Sequence, residues 1–385
     1  MADTPLNKPA RWPYGPVTLA ELCAGLVWPM LLRVPGVALQ PPKLAVAFLL
    51  VAGLLGVGGV FDMLVEWAGG TPLAMPLLWA CGEGLSASAR LLLDARLGSA
   101  IRAAYDATFG GVVEAVRNRP VAATAFIGLA LPLWSIAGGA ICRMAAVDLA
   151  LNLNMTAAES IRFAAARWKG HLFVHLIPLL AIGAIALALA MGGWLLLSLP
   201  GVALIGAVLF GVAMLGGLAV AVLVGGLVAG SPLLPAAMSV EGTDAGDAVQ
   251  RVYAYLLGRT GRAVLYTGIG LLQAAAVLLL AHWLVHIADW LASSLAGAWL
   301  EPSRADRLFG PANAGPAGAA RSIIELWRGA GGILLGAVGI SLWFSNGSAL
   351  YLLLRRVNDE QDVREIWMPG LIPGGRVSDG HPDAA

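Results

Sequence analysis

The sequence predicts an all-α integral membrane protein with about six transmembrane helices. Three observations lead there. Only 12% of the 385 residues are charged while 59% are hydrophobic, against roughly 25% charged and 45–50% apolar in a soluble domain. Six stretches reach the length of about 20 mostly apolar residues that a bilayer span requires. Finally, Trp67, Trp168, Trp194, Trp283 and Trp343 fall near the ends of those stretches, where amphipathic rings collect at the membrane–water boundary.

The elements follow in order. Residues 1–16, "MADTPLNKPARWPYGP", lack the apolar core of a secretory signal and are expected to be retained as a tail. Residues 17–32 open with Thr18-x-x-Glu21, a capping-box pattern, and predict a helix lying on the membrane. The Pro-rich "RVPGVALQPPK" reads as a turn into span one, 44–66. Residues 84–107 interleave Leu and Ile with Arg and Asp, the pattern of an interfacial amphipathic helix. Span two is 120–142. Thr156-x-x-Glu159 is a second capping box, starting a helix over 156–169. Span three, 172–198, and span four, 202–230, are joined only by Leu199–Gly201 and must form a tight hairpin. Span five is 263–286. Residues 301–322, rich in Ala, Gly and Pro, read as a poorly ordered loop. Span six is 332–354, and residues 361–385 read as a partly disordered tail. The chain is thus a single polytopic domain over 17–360.

With six spans both termini share one side. Loops on that side, side one, hold fifteen of the 24 Lys and Arg residues and side two holds nine. The excess predicts a bacterial inner-membrane protein with side one and both termini cytoplasmic. A net charge of +1 supplies no field for nucleic acid, so the bilayer is the expected partner, with a membrane protein or a second copy as further candidates. Three widely spaced cysteines make no disulfide or zinc-thiolate framework, and no cofactor is indicated.

Residues 143–180 and 233–272 share a plan. Each leaves a span, passes an acid (Asp148 or Glu241), turns, starts a helix with Thr and acids, and re-enters the membrane behind basic residues. Glu159, Asp244 and Asp247 complement the positive end of each helix dipole. Arg167, Lys169, Arg259 and Arg262 complement the negative end. The second elbow, "PAAMSVEGTDAGDAVQRVYAYLLGR", carries Pro235, Glu241, Gly242, Ala248, Arg251 and Arg259. In these positions it resembles the YciC-like bacterial membrane proteins and the membrane domain joined to some glycerophosphodiester phosphodiesterases. The resemblance spans about residues 120–360 and implies a helical membrane fold without established chemistry. It brings no catalytic domain with it.

Candidate sites are few. Asp148, Glu159, Arg162, Glu241, Asp247, Arg251 and Arg259 read as salt-bridge or headgroup contacts. Arg251 is within reach of Glu241 across the elbow or of Asp247 one turn away; Arg143 or Arg162 is the expected partner of Asp148. The span interiors offer mainly Gln273, Ser341 and Asn346, too little for an ion-coupled relay. Two histidine pairs at i, i+4, His171 with His175 and His282 with His286, share a face within each pair. Asp289 extends the second. These are the only metal or heme candidates, and an interfacial depth marker is the simpler reading of both. Gly226-x-x-x-Gly230 and Gly332-x-x-x-Gly336 predict close helix packing. No nucleophile–base set, P-loop or zinc-protease motif is present. A non-enzymatic scaffold or lipid-organising protein is therefore expected first, and a transporter or channel for a small or lipid-like solute second.

Overall fold

The computed structural model describes residues 28–198, 201–310 and 318–368. The structure is all-helical over these residues. Six helices are long and apolar enough to cross a membrane: α2 (Pro41–Trp67), α6 (Pro120–Leu151), α8 (Trp168–Leu197), α9 (Ala203–Gly230), α12 (Thr260–Gly297) and α14 (Ala319–Asp359). Shorter helices complete the fold: α1 (Val34–Ala38), α3 (Ala74–Leu93), α4 (Leu97–Tyr105), α5 (Gly111–Asn118), α7 (Ala157–Ala166), α10 (Leu233–Glu241), α11 (Ala245–Gly258) and α13 (Pro302–Phe309).

Several expectations change. The "RVPGVALQPPK" turn contains a helix, α1, behind a 3-10 turn at Trp28–Arg33. The amphipathic stretch 84–107 is not one helix. It breaks at Asp94–Arg96, where Ala95 takes a positive φ of 58°, and α4 folds back on α3. Its partner surfaces are small: a side-chain carbon on Gly84 would meet Ala107. Residues 302–309 of the supposed loop are helical, because Pro302 at the first turn is pre-set for a helix start. The spans also outrun their apolar windows. α6 continues to Leu151, α12 to Gly297, and α14 starts at Ala319, since polar residues that pair with a neighbouring helix extend a span as readily as apolar ones. The interfacial helix of 17–32 lies outside the described residues up to position 27. So do 199–200, 311–317 and the tail from 369.

The capping box at Thr156 is present as read. Thr156 Oγ1 accepts from Glu159 N at 3.3 Å, and Glu159 Oε2 accepts from Thr156 N at 3.0 Å. These reciprocal bonds satisfy otherwise open amide groups at the helix start. The second elbow is capped by Asp244, whose Oδ1 accepts from Asp247 N at 2.9 Å.

The buried core lies toward side one. α2, α6 and α14 pack together there around α10, whose residues from Leu233 to Val240 are all buried. Gly226 and Gly230 face α11, where added carbons would strike Tyr253 and Val252, so the first small-residue motif is an internal contact. Gly332 meets nothing and Gly336 only Val51. α9 packs chiefly on α8 and α11, and its most apolar window has no buried residue. Lipid is the natural cover for that surface.

One ionisable residue inside span one belies the expectation of nearly charge-free spans. Asp62 is 5% exposed, and its carboxylate accepts from three consecutive backbone amides, those of Leu73, Ala74 and Met75, at 2.7–2.8 Å. It caps α3 from across a turn and so binds the side-two hairpin to the bundle.

Candidate functional site

The side-one end of the bundle gathers most of the buried charges into three nodes, while Asp62 and Arg321 are buried toward side two. The first joins span starts to a span end. Lys43 Nζ, 2% exposed, lies 3.0 Å from Asp148 Oδ2, and Gln40 Nε2 donates to the same oxygen at 2.7 Å. Asp148 therefore pairs with Lys43, not with Arg143 or Arg162. The pairing crosses helices because α6 stays helical past Arg143 and carries Asp148 alongside the start of α2.

The second node centres on Glu241, the last residue of α10. Its Oε1 accepts from Arg355 Nη1 and from Tyr351 Oη, both at 3.0 Å. Arg251 is drawn in at 3.8 Å to the other oxygen. Burial works against the Arg251 cation, but Glu241, with Tyr351 and Tyr255 behind it, holds its pKa on balance above the ordinary arginine value. Tyr255 donates to Asp359, and burial together with that carboxylate pushes its phenol well up.

The third node is Arg143. Its Nη1 donates to the carbonyls of Ser239 (2.9 Å) and Trp367 (2.8 Å), and its guanidinium lies 4.8 Å over the Phe163 ring. This node shows what residues 360–368 do. The start of the supposed tail folds back as a strap. Trp367 N donates to Val240 O at 2.8 Å, and Arg355 Nη2 donates to the carbonyls of Asp362 and Glu365. The Arg167 guanidinium stacks 4.3 Å over the Trp367 ring and donates to Gly242 O; burial lowers its pKa. Gly242 has φ +63°, and a Cβ there would lie 2.3 Å from the Trp367 ring. Both conditions require glycine.

Among the other sequence candidates, Glu159 serves the α7 cap, and the Thr156 bonds with a smaller contribution from Arg162 lower its pKa. Arg162, Asp247 and Arg259 are exposed. His171 and His175 are not at a wet edge: they are 0% and 7% exposed. Gly139 makes room for the His171 ring, whose nitrogens would be within 2.8 Å of a Cβ at that position, while His175 Nδ1 lies 3.0 Å from His171 O. His282 and His286 stack in parallel with centroids 6.2 Å apart, but Asp289 is taken by Arg328 at 2.8 Å. No group of three metal-ligating side chains forms among the described residues.

Sequence reasoning missed Lys43 and Arg355 as site residues because they counted only as side-one cations, and it gave Arg143 the wrong partner, Asp148 in place of the Ser239 and Trp367 carbonyls. A signal existed. Arg355 follows the apolar run "ALYLLL" within one helix, so a neighbour had to cover it.

Beside these nodes a cleft of about 440 Å³ opens between the start of α8 and the start of α11. Arg167, Lys169, Gly170, Phe173 and Ile177 line one wall; Met238 and Thr243–Gly246 line the other. A second cleft lies at Arg356 and Glu360–Asp362. Neither runs between α9, α12 and α14. No family model matches the chain, and no curated protein or solved structure does either.

Proposed function

We propose that the chain is a non-enzymatic multi-pass scaffold of the bacterial inner membrane, with side one cytoplasmic, that organises lipid or a membrane partner around a rigid cytoplasmic platform. The observation that carries this reading is how the buried charges of side one are used. Lys43, Arg143, Glu241 and Arg355 are all engaged by other parts of the same chain, which favours a fixed platform over a moving relay. A transporter needs a polar path at mid-depth between helices. Spans four, five and six were the natural place for one, and α9 packs apart from α12 and α14. Between α12 and α14 the polar groups bond to each other, Gln273 Nε2 to Asn346 Oδ1 at 2.9 Å.

The two elbows favour an internal repeat. Each places a left-handed residue (Asn152 or Gly242) after a helix, then a capped helix, then a span. On the elbow motif we set the chain beside the YciC-like proteins.

Reconstitution into vesicles tests the reading. Purified protein is expected to add no flux of protons, potassium or small organic solutes above that of empty vesicles. It is also expected to give discrete adducts when photo-crosslinkers on the exposed face of α9, at Val208 or Val212, are activated in native membranes. Saturable solute flux overturns it.

A further inference from the structure

The cleft between α8 and α11 carries opposite charges on its two walls, and the fold does not join them. On the α8 wall Lys169 is exposed and makes no hydrogen bond or ion pair with the described residues. On the α11 wall Asp244 uses Oδ1 for the cap, and its Oδ2 has no partner among the described residues. Arg167, held against Trp367 and Gly242 O, adds positive charge at the back. Below Lys169 the wall turns apolar. Phe173 and Ile177 follow at intervals of four residues, on the same helix face and about 6 Å deeper at each step. Met238 faces them. The start of α11 is not an open anion site, because Asp244 already occupies it.

A cation and a carboxylate at headgroup depth, above an apolar stripe, match one class of molecule. We propose that this cleft binds a zwitterionic glycerophospholipid bearing a primary ammonium. The phosphate lies on Lys169 with Arg167 behind it, the ammonium donates to Asp244 Oδ2, and an acyl chain runs down Phe173 and Ile177. The volume falls within the roughly 300–1,000 Å³ of small-ligand pockets. A purely anionic headgroup meets Asp244 and the nearby Asp247. A quaternary ammonium reaches Asp244 but has no N–H to donate. A soluble phosphorylated amine shares the polar contacts but leaves the apolar stripe uncovered. The inference rests on the scaffold reading only in placing the start of α8 at the membrane surface.

The test is lipid retention by the purified full chain in native mass spectrometry. Phosphatidylethanolamine, phosphatidylcholine and phosphatidylglycerol are offered in equal amounts, with soluble phosphoethanolamine as competitor. Wild type is expected to keep phosphatidylethanolamine best. Asp244→Asn, which still caps the helix, is expected to weaken that lipid by about threefold, the scale of one exposed ion pair, and to leave phosphatidylglycerol equal or stronger. Lys169→Gln is expected to weaken all three. Unaltered melting of both variants shows that the fold is intact. An unchanged ratio of phosphatidylethanolamine to phosphatidylglycerol retention in Asp244→Asn overturns the proposal, as does phosphatidylglycerol retained best by wild type. Displacement by millimolar phosphoethanolamine overturns the lipid source in favour of a soluble one. Solute flux in vesicles would refute the scaffold reading while leaving these outcomes readable.

Discussion

Replacing Glu241 with glutamine tests the central node. Its partner Arg355 is 1% exposed, so loss of the carboxylate leaves a buried guanidinium without its counter-charge. Removing one member of a buried pair costs about 3–5 kcal/mol. Glutamine keeps an acceptor for Tyr351 and Arg355, which places Glu241→Gln near the lower end, about 3 kcal/mol. Glu241→Ala also strands the Tyr351 hydroxyl and adds about 1–3 kcal/mol. Arg251→Gln removes the 3.8 Å contact with Glu241 and a contact with Tyr255 from a side chain 37% exposed, worth about 0–1 kcal/mol. Thermal unfolding in mild detergent, followed by far-ultraviolet circular dichroism at one scan rate, reads the order. At roughly 2 °C per kcal/mol for a large chain, Glu241→Gln is expected to melt about 6 °C below wild type. Arg251→Gln is expected to stay within about 2 °C of it on the same scale. Equal melting of Glu241→Gln and wild type, or a greater loss from Arg251→Gln, would refute the assignment of Arg355 as the principal partner.

Three further outcomes are expected. Asp62→Ala orphans three amides at the start of α3 and should cost about 3 kcal/mol, with the side-two hairpin becoming cleavable by protease before the bundle melts. Gly242→Ala forces a left-handed residue, at about 1–2 kcal/mol, and pushes Trp367 off its seat, so trypsin should cut at Arg364 faster than in wild type. The α7 cap should depend on pH. Glu159 has a lowered folded-state pKa, so its contribution is complete above the unfolded glutamate value of about 4.3 and is lost as pH falls through the lower folded value. Protection of the Thr156 and Glu159 amides, taken relative to the intrinsic exchange rate at each pH, should therefore fall on acidification in wild type but not in Glu159→Gln.

Hydropathy located all six spans because the bilayer imposes a minimum apolar length on each one. It misjudged their ends, since Asp148, Asp289 and Arg328 find partners on neighbouring helices and the helix then continues past the apolar window. The elbows were legible for a local reason: a capping box needs only residues three apart. The nodes were not, since Lys43 and Asp148 lie 105 residues apart and Glu241 and Arg355 114 apart, and no local pattern encodes such a meeting. The strap was hidden by its composition. "DEQDVREIW" is polar enough to resemble solvated chain, yet Val363 and Ile366 are buried and its backbone carbonyls, not its charges, make the contacts with Arg143 and Arg355.

The strap also orders events during synthesis. Arg143 and Val240 are made long before Trp367, which supplies a carbonyl to one and an amide to the other. Until position 367 has left the ribosome, the Arg143 guanidinium has Ser239 O and the Phe163 ring but is open on the side that the Trp367 carbonyl later closes. A chain interrupted after its last span would carry every helix of the bundle and still advertise that opening. The last contacts of the side-one core are thus made by the last described residues to emerge, after all six long helices are in hand.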